Sequence, residues 1–150
     1  MEQLFSNYIL ICAVCAWMVC QVFKILLYGF RLHQWNIRYL WAAGGMPSSH
    51  SASAVALATA VGLHEGFSSG LFAACAVFAF VVMYDAAGVR RETGKQGQII
   101  NEIMRQPGTL PEDSIFGDLK EKVGHSPMEV LAGAAAGVLC AVVFRLLSII

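Results

Sequence analysis

The amino-acid sequence predicts an all-α fold, an integral membrane helical bundle with four transmembrane helices and one interfacial amphipathic helix. Three observations predict it. Of 150 residues, 57% are apolar and 13% charged, and the mean hydropathy is +0.63. The apolar residues gather into long uncharged runs. In lipid every backbone group must be satisfied within its own segment, which makes helices the natural spanning element. The length bounds the chain to a single membrane domain, residues 1–150. Ten basic side chains balance ten acidic ones, and no basic patch is interleaved with exposed aromatics, so nucleic acid is not an expected partner. The same composition excludes a disordered chain.

The first span is expected at about residues 5–24. Phe5 to Phe23 are nineteen residues without a charge, about 28 Å as a helix, close to the ~30 Å of a hydrocarbon core. A cleaved signal peptide fits less well, because MEQLFSN lacks a basic start and no small-residue cleavage site precedes Lys24. The second span, about 48–64, lies in the uncharged stretch from Gly44 to Leu63, with His50 admitted. The third, about 66–86, follows after only His64 and Glu65, which makes the link a tight hairpin. The fourth, about 126–146, carries Glu129 near its start and ends at Arg145.

Between the last two spans, residues 88–125 form a polar loop broken by Pro107, Gly108, Pro111 and Gly117. Within it, Glu92 to Arg105 sets Ile99, Ile100, Ile103 and Met104 close to one helical face, which suits a helix lying on the membrane surface.

Nine of the ten basic residues, Lys24, Arg31, Arg38, Arg90, Arg91, Lys95, Arg105, Lys120 and Lys122, fall at one end of the spans. The positive-inside rule makes that face cytoplasmic and puts both termini on the other side. A bacterial plasma membrane is the expected location. All five cysteines lie within predicted spans. The C-x-x-C pair Cys12 and Cys15 sits in apolar helix and reads as small buried side chains, not as a redox motif. Ala52, Ala56 and Ala60, and Gly133 with Gly137, recur every four residues and let helix backbones approach closely.

The stretch GGMPSSHSAS, Gly44 to Ser53, is a loop feeding a helix N-terminus. Free N–H groups and the positive dipole end favour an anion there, and Ser48 and Ser49 add hydroxyl donors. His50 stands beside that site, although a serine N-cap followed by an interfacial histidine would read the same way. The stretch GHSPMEVLAG, Gly124 to Gly133, opens the fourth helix with Ser126 as N-cap, Pro127 in the first turn and Glu129 in a capping box. His125 immediately precedes it, and Glu129 is also spaced to reach the imidazole and fix its tautomer. The two Glu129 roles exclude each other at any instant.

The predicted topology brings His50 and His125 to one membrane face, where Lys24, Arg31, Arg38, Arg90, Arg91 and Lys95 also lie. One histidine as nucleophile, a second as general acid and cations around an anion site describe phosphoryl transfer through a phosphohistidine. In YDAAGVRR, Asp85 is an ionisable residue at the membrane boundary, either functional or an interfacial anchor paired with Arg90 or Arg91. A metal held by His50, His125 and Asp85 has no supporting ligand spacing, so no metal is expected.

These motifs resemble the divergent branch of the type 2 phosphatidic acid phosphatase and vanadium haloperoxidase-like superfamily. GGMPSSHSA, YDAAGVRR with the following GKQ, and GHSPMEVLAG carry the resemblance from Gly44 to Gly137. The superfamily's motifs are K-x6-R-P, P-S-G-H and S-R-x5-H-x3-D. The resemblance implies that Pro47 to His50 form the second motif, with serine for glycine and His50 as general acid. It makes His125 the nucleophile and Glu129, in place of aspartate, its orienting carboxylate. Lys24 and Arg31 have the first motif's spacing without its proline. Leu119 stands where the superfamily keeps an arginine, which leaves the guanidinium to Arg90 or Arg91.

The expected function is therefore a membrane phosphatase acting on a lipid-linked phosphate or pyrophosphate, without a cofactor, and with phosphate or vanadate binding as product or inhibitor. Membrane lipids surround it, and a homodimer is implied because the superfamily's core has more helices than four. The competing readings are a non-catalytic phosphate-binding or lipid-binding membrane protein and a small transporter component with Asp85 and Glu129 along a polar path.

Overall fold

A computed structural model describes residues 6–32, 45–106, 117–121 and 123–147. Arg38, Lys122 and most of the Pro/Gly-rich part of the polar loop lie outside the described residues. The described chain folds as five helices, α1 (Tyr8–Leu32), α2 (Ser49–Glu65), α3 (Gly70–Ala87), α4 (Val89–Met104) and α5 (Pro127–Leu146). Three segments are long and apolar enough to cross a membrane, Tyr8–Phe30, Pro127–Leu146 and the apolar stretch that begins at Gly70. The α2 helix, at 17 residues, is shorter.

Helix α2 is the centre of the bundle and touches α1, α3 and α5. It serves this position because it is built from small residues. Ala52, Ala56 and Ala60 meet Cys12, Ala16 and Cys20 of α1 and Ala141 of α5, while Ala54 and Ala58 meet Ala79 of α3. On α5, a side chain at Gly133 would collide with the carbonyl of Ser48, and one at Gly137 with that of Ala52. Close backbone contact of this kind supplies dispersion energy where lipid removes the hydrophobic drive between helices. The outer faces are correspondingly apolar and open, with Val19, Phe23, Val77, Phe80, Leu131 and Leu139 exposed. The five cysteines are unpaired, and Cys12 and Cys20 are buried in the core.

The helix starts follow local chemistry. Ser48, Ser69 and Ser126 cap α2, α3 and α5, and the Ser126–Glu129 capping box is complete. Gly66, at φ 91°, turns the short hairpin between α2 and α3.

Three boundaries differ from expectation, one of them the start of α3, which falls at Gly70 behind the Ser69 cap and not near residue 66. Helix α1 continues to Leu32, so Lys24 does not mark the end of the first span but lies within it, 2% exposed. The lysine is tolerated there because it faces the bundle near Glu129, whose negative charge acts on it. Helix α4 begins at Val89, earlier than Glu92, directly after Gly88 at the end of α3. Its Ile99, Ile100 and Ile103 are exposed on one side, while Gly94, Gly97 and Asn101 are buried on the other.

Candidate functional site

The site forms where the N-termini of α2 and α5 meet the C-terminus of α3. The Ser48 N–H donates to the Glu129 carbonyl at 2.9 Å, and the His125 N–H donates to the Ala86 carbonyl at 2.9 Å. These main-chain bonds fix the two histidine-bearing segments independently of side-chain rotamers. Gly124 makes the entry to His125 feasible. It has φ +83°, and a Cβ there would strike the Arg90–Arg91 backbone.

The imidazoles of His50 and His125 stand 6.4 Å apart, centroid to centroid, at an interplanar angle of 73°. They border a cleft of about 290 Å³, also lined by Val81, Val82, Asp85, Ala86, Arg90, Val123 and Gly124. His50 faces it from the first turn of α2. His125 is 5% exposed, and neither of its ring nitrogens has a hydrogen-bond partner among the described residues. Burial pushes its pKa down from the usual histidine value, and the Lys24 ammonium pushes the same way. Glu129 opposes them, and His50 and Arg90 add smaller downward effects. The neutral imidazole is thereby favoured.

Of the cations expected at the site, Arg90 reaches the cleft, and its Nε donates to Asp85 Oδ2 at 2.6 Å. Lys24 acts on both histidines from within the bundle. Arg91 is exposed and outside the cleft lining. Lys95 is also outside it and donates to Glu92 at 2.6 Å. Arg31 belongs to the last turn of α1, and its side chain is not among the described features.

Ser48 and Ser49 are buried beneath the site and do not line the cleft. The Ser48 hydroxyl accepts from the Ser51 N–H and from the Ser51 hydroxyl, so it works as a helix cap. Glu129 takes the capping-box alternative. Its Oε2 accepts from the Ser126 N–H at 2.8 Å, and it makes no hydrogen bond to His125. The Asp85–Arg90 pairing agrees with the anchor reading, yet both residues border the cleft. Among the described residues no three His, Cys, Asp or Glu side chains converge in a way that could hold a metal ion.

Two parts of this arrangement have no counterpart among the expected site residues. One is the docking of residues 117–121 on α4 through Asn101, which a Gly94, Gly97, Asn101 stripe opposite the isoleucines could have signalled. The other is the apolar groove lined by Trp17, Ser53, Ala54, Leu57, Phe78 and Val82, which meets the cleft at His50 and Val82.

Among the described residues, a helical bundle with three segments long and apolar enough to cross a membrane and a cleft bordered by two histidines marks an integral membrane protein. By sequence the chain belongs to the Divergent PAP2 family, whose profile matches residues 5–140. It is 36% identical over 151 aligned positions to the uncharacterized membrane protein YuiD of Bacillus subtilis (strain 168), covering 94% of this chain and 96% of YuiD. No solved structure matches it significantly.

Proposed function

We propose that the protein is a membrane-embedded phosphatase that hydrolyses a lipid-linked phosphate or pyrophosphate through a phosphohistidine. The observation that carries this reading is the buried His125 imidazole with both nitrogens unpaired, facing His50 across the cleft. An unpaired buried polar group costs about 1–3 kcal/mol, which a bound phosphate or water would offset. A reacting atom flanked by an attacking nitrogen at about 3–3.5 Å and a proton donor at about 3 Å requires two rings separated on this scale.

In the first step a neutral His125 nitrogen attacks phosphorus, and the bond from phosphorus to the leaving oxygen breaks. Imidazolium His50 gives that oxygen its proton. In the second step water attacks the phosphohistidine, neutral His50 takes the water's proton, and the nitrogen–phosphorus bond breaks to release inorganic phosphate. Arg90 and Lys24 supply positive charge for the phosphoryl oxygens, the part that Leu119 cannot play. Glu129 orients the His125 imidazole if its side chain leaves the capping box. No metal or cofactor takes part, and vanadate competes as a phosphate mimic.

The apolar groove that continues from His50 supports a substrate whose hydrocarbon part lies in the bilayer. Helix α2, about 26 Å long at 1.5 Å per residue, serves as the fourth span. The cluster of cations then faces the cytoplasm of a bacterial plasma membrane, both termini lie opposite, and a homodimer completes the bundle.

The test is phosphate release from a panel of phospholipid and polyprenyl phosphates by the purified protein in detergent, with His125→Ala and His50→Ala in parallel. Release that both substitutions abolish is the expected result. A second reading, a phosphate-binding protein without turnover, draws on the engagement of Arg90 with Asp85 and of Glu129 with the helix cap. No release, together with His125-dependent vanadate binding, would overturn the phosphatase in its favour.

A further inference from the structure

We propose that Asn101 is a positioning residue for His125, acting through the chain segment that leads to it. Asn101 is 1% exposed, in the last turns of α4, and its amide is fully used by that segment. Its Oδ1 accepts from the Leu119 N–H at 2.8 Å, and its Nδ2 donates to the Leu119 carbonyl and to Glu121 Oε1, each at 2.9 Å. A side-chain amide offers a donor and an acceptor side by side to one backbone residue.

The same face of α4 is smoothed so that the segment can lie on it. A Cβ at Gly97 would come within 3.0 Å of the Lys120 carbonyl, and one at Gly94 within 2.6 Å of the Glu121 carbonyl. The track continues through Gly124, against the Arg90–Arg91 backbone, to the His125 N–H bonded to Ala86. The segment therefore has four attachments, at Asn101, at the exposed Arg105, whose guanidinium donates to Asp118 Oδ2 at 2.9 Å, in the glycine track and at Ala86 next to His125. Of these only the Asn101 bonds are buried side-chain bonds, and losing them loosens the approach to the histidine while leaving every cleft-lining side chain in the protein.

The catalytic part of this proposal rests on His125 being the nucleophile, and the experiment separates the two. Full-length Asn101→Ala in detergent is treated with diethyl pyrocarbonate, and acylation of His125 and of the exposed His64 is followed by mass spectrometry beside phosphate release. His125 is expected to react several-fold faster than in wild type, with His64 unchanged. The kcat is expected to fall by about 100-fold, the scale of an ångström-level misplacement, with KM little altered. An unchanged His125 rate overturns the positioning role whatever the activity. A faster His125 rate in a protein whose wild type releases no phosphate upholds the clamp and overturns the phosphatase.

If Asn101→Ala does not fold, Glu121→Ala, which removes one of the three hydrogen bonds together with the exposed 4.0 Å contact to Arg105, decides the matter. His125 labelling between wild type and full exposure supports the proposal, and wild-type labelling overturns it. Glu121→Gln, which keeps an acceptor for Asn101 Nδ2, is expected to restore the wild-type rate.

Discussion

The Ser48 N–H donates to the Glu129 carbonyl at 2.9 Å, so the N-termini of α2 and α5 are joined by main chain within a few residues of each histidine. The approach is close enough that Gly133, one turn along α5, has no room for a side chain against Ser48. Helix contact and site geometry are thus one feature of the fold.

Gly133→Ala is therefore expected to separate the two helices. Overpacking of this kind costs about 1–3 kcal/mol, so thermal unfolding in detergent should shift downward and vanadate affinity should fall with it. Gly117→Ala, where a Cβ meets nothing within 4 Å, is the comparison and should leave both unchanged.

His50→Ala should lower kcat by about 10² to 10⁴, the usual contribution of a general acid. Substrates with a good leaving group should lose less, because their departing oxygen needs less help from a proton. Equal losses for good and poor leaving groups would argue against the assignment of His50.

The pH dependence has a definite sign. Attack requires neutral His125, and burial with Lys24 nearby holds its pKa below the ordinary histidine value. The acid limb of the kcat/KM profile should therefore lie below about pH 6.5, with activity falling as pH drops through it. Lys24→Met removes a charge that disfavours the imidazolium, so it should move this limb to higher pH. A limb that moves lower would contradict the electrostatic picture.

Arg90→Lys should weaken vanadate binding by about tenfold, because a point charge replaces a planar fork. The same change at Arg91, outside the cleft lining, should have the smaller effect. Asp85→Asn should barely alter stability, since an ion pair this exposed contributes about 0–1 kcal/mol, but it releases the Arg90 guanidinium and should tighten vanadate binding.

Much of the fold was legible because it depends on local chemistry. Uncharged runs marked α1, α3 and α5, serine caps marked helix starts, and the Ala52–Ala56–Ala60 and Gly133–Gly137 spacings marked close packing that the helices do make. The end of α1 was not legible, because a lysine usually closes a span. Only the neighbouring helix ends make Lys24 tolerable inside one.

The pairing of His50 with His125 was anticipated from two helix starts on one face, whereas the partners of each group were not. Ser48 and Glu129 each had two chemically sound roles, and the structure uses both as caps because the helix ends offer the nearer unpaired N–H groups. Arg90 and Arg91 are adjacent in sequence, and only the direction in which α4 leaves α3 puts one of them in the cleft.

The sequence by itself determined the helical membrane class, the family and the two histidine motifs, since hydropathy, capping and motif spacing act over a few residues. Tertiary structure alone decided which cation meets the cleft, that Lys24 is buried and that Asn101 bonds Leu119 and Glu121. Those outcomes depend on contacts between segments far apart in the chain, whose distances and competing hydrogen-bond partners exist only once the helices have packed.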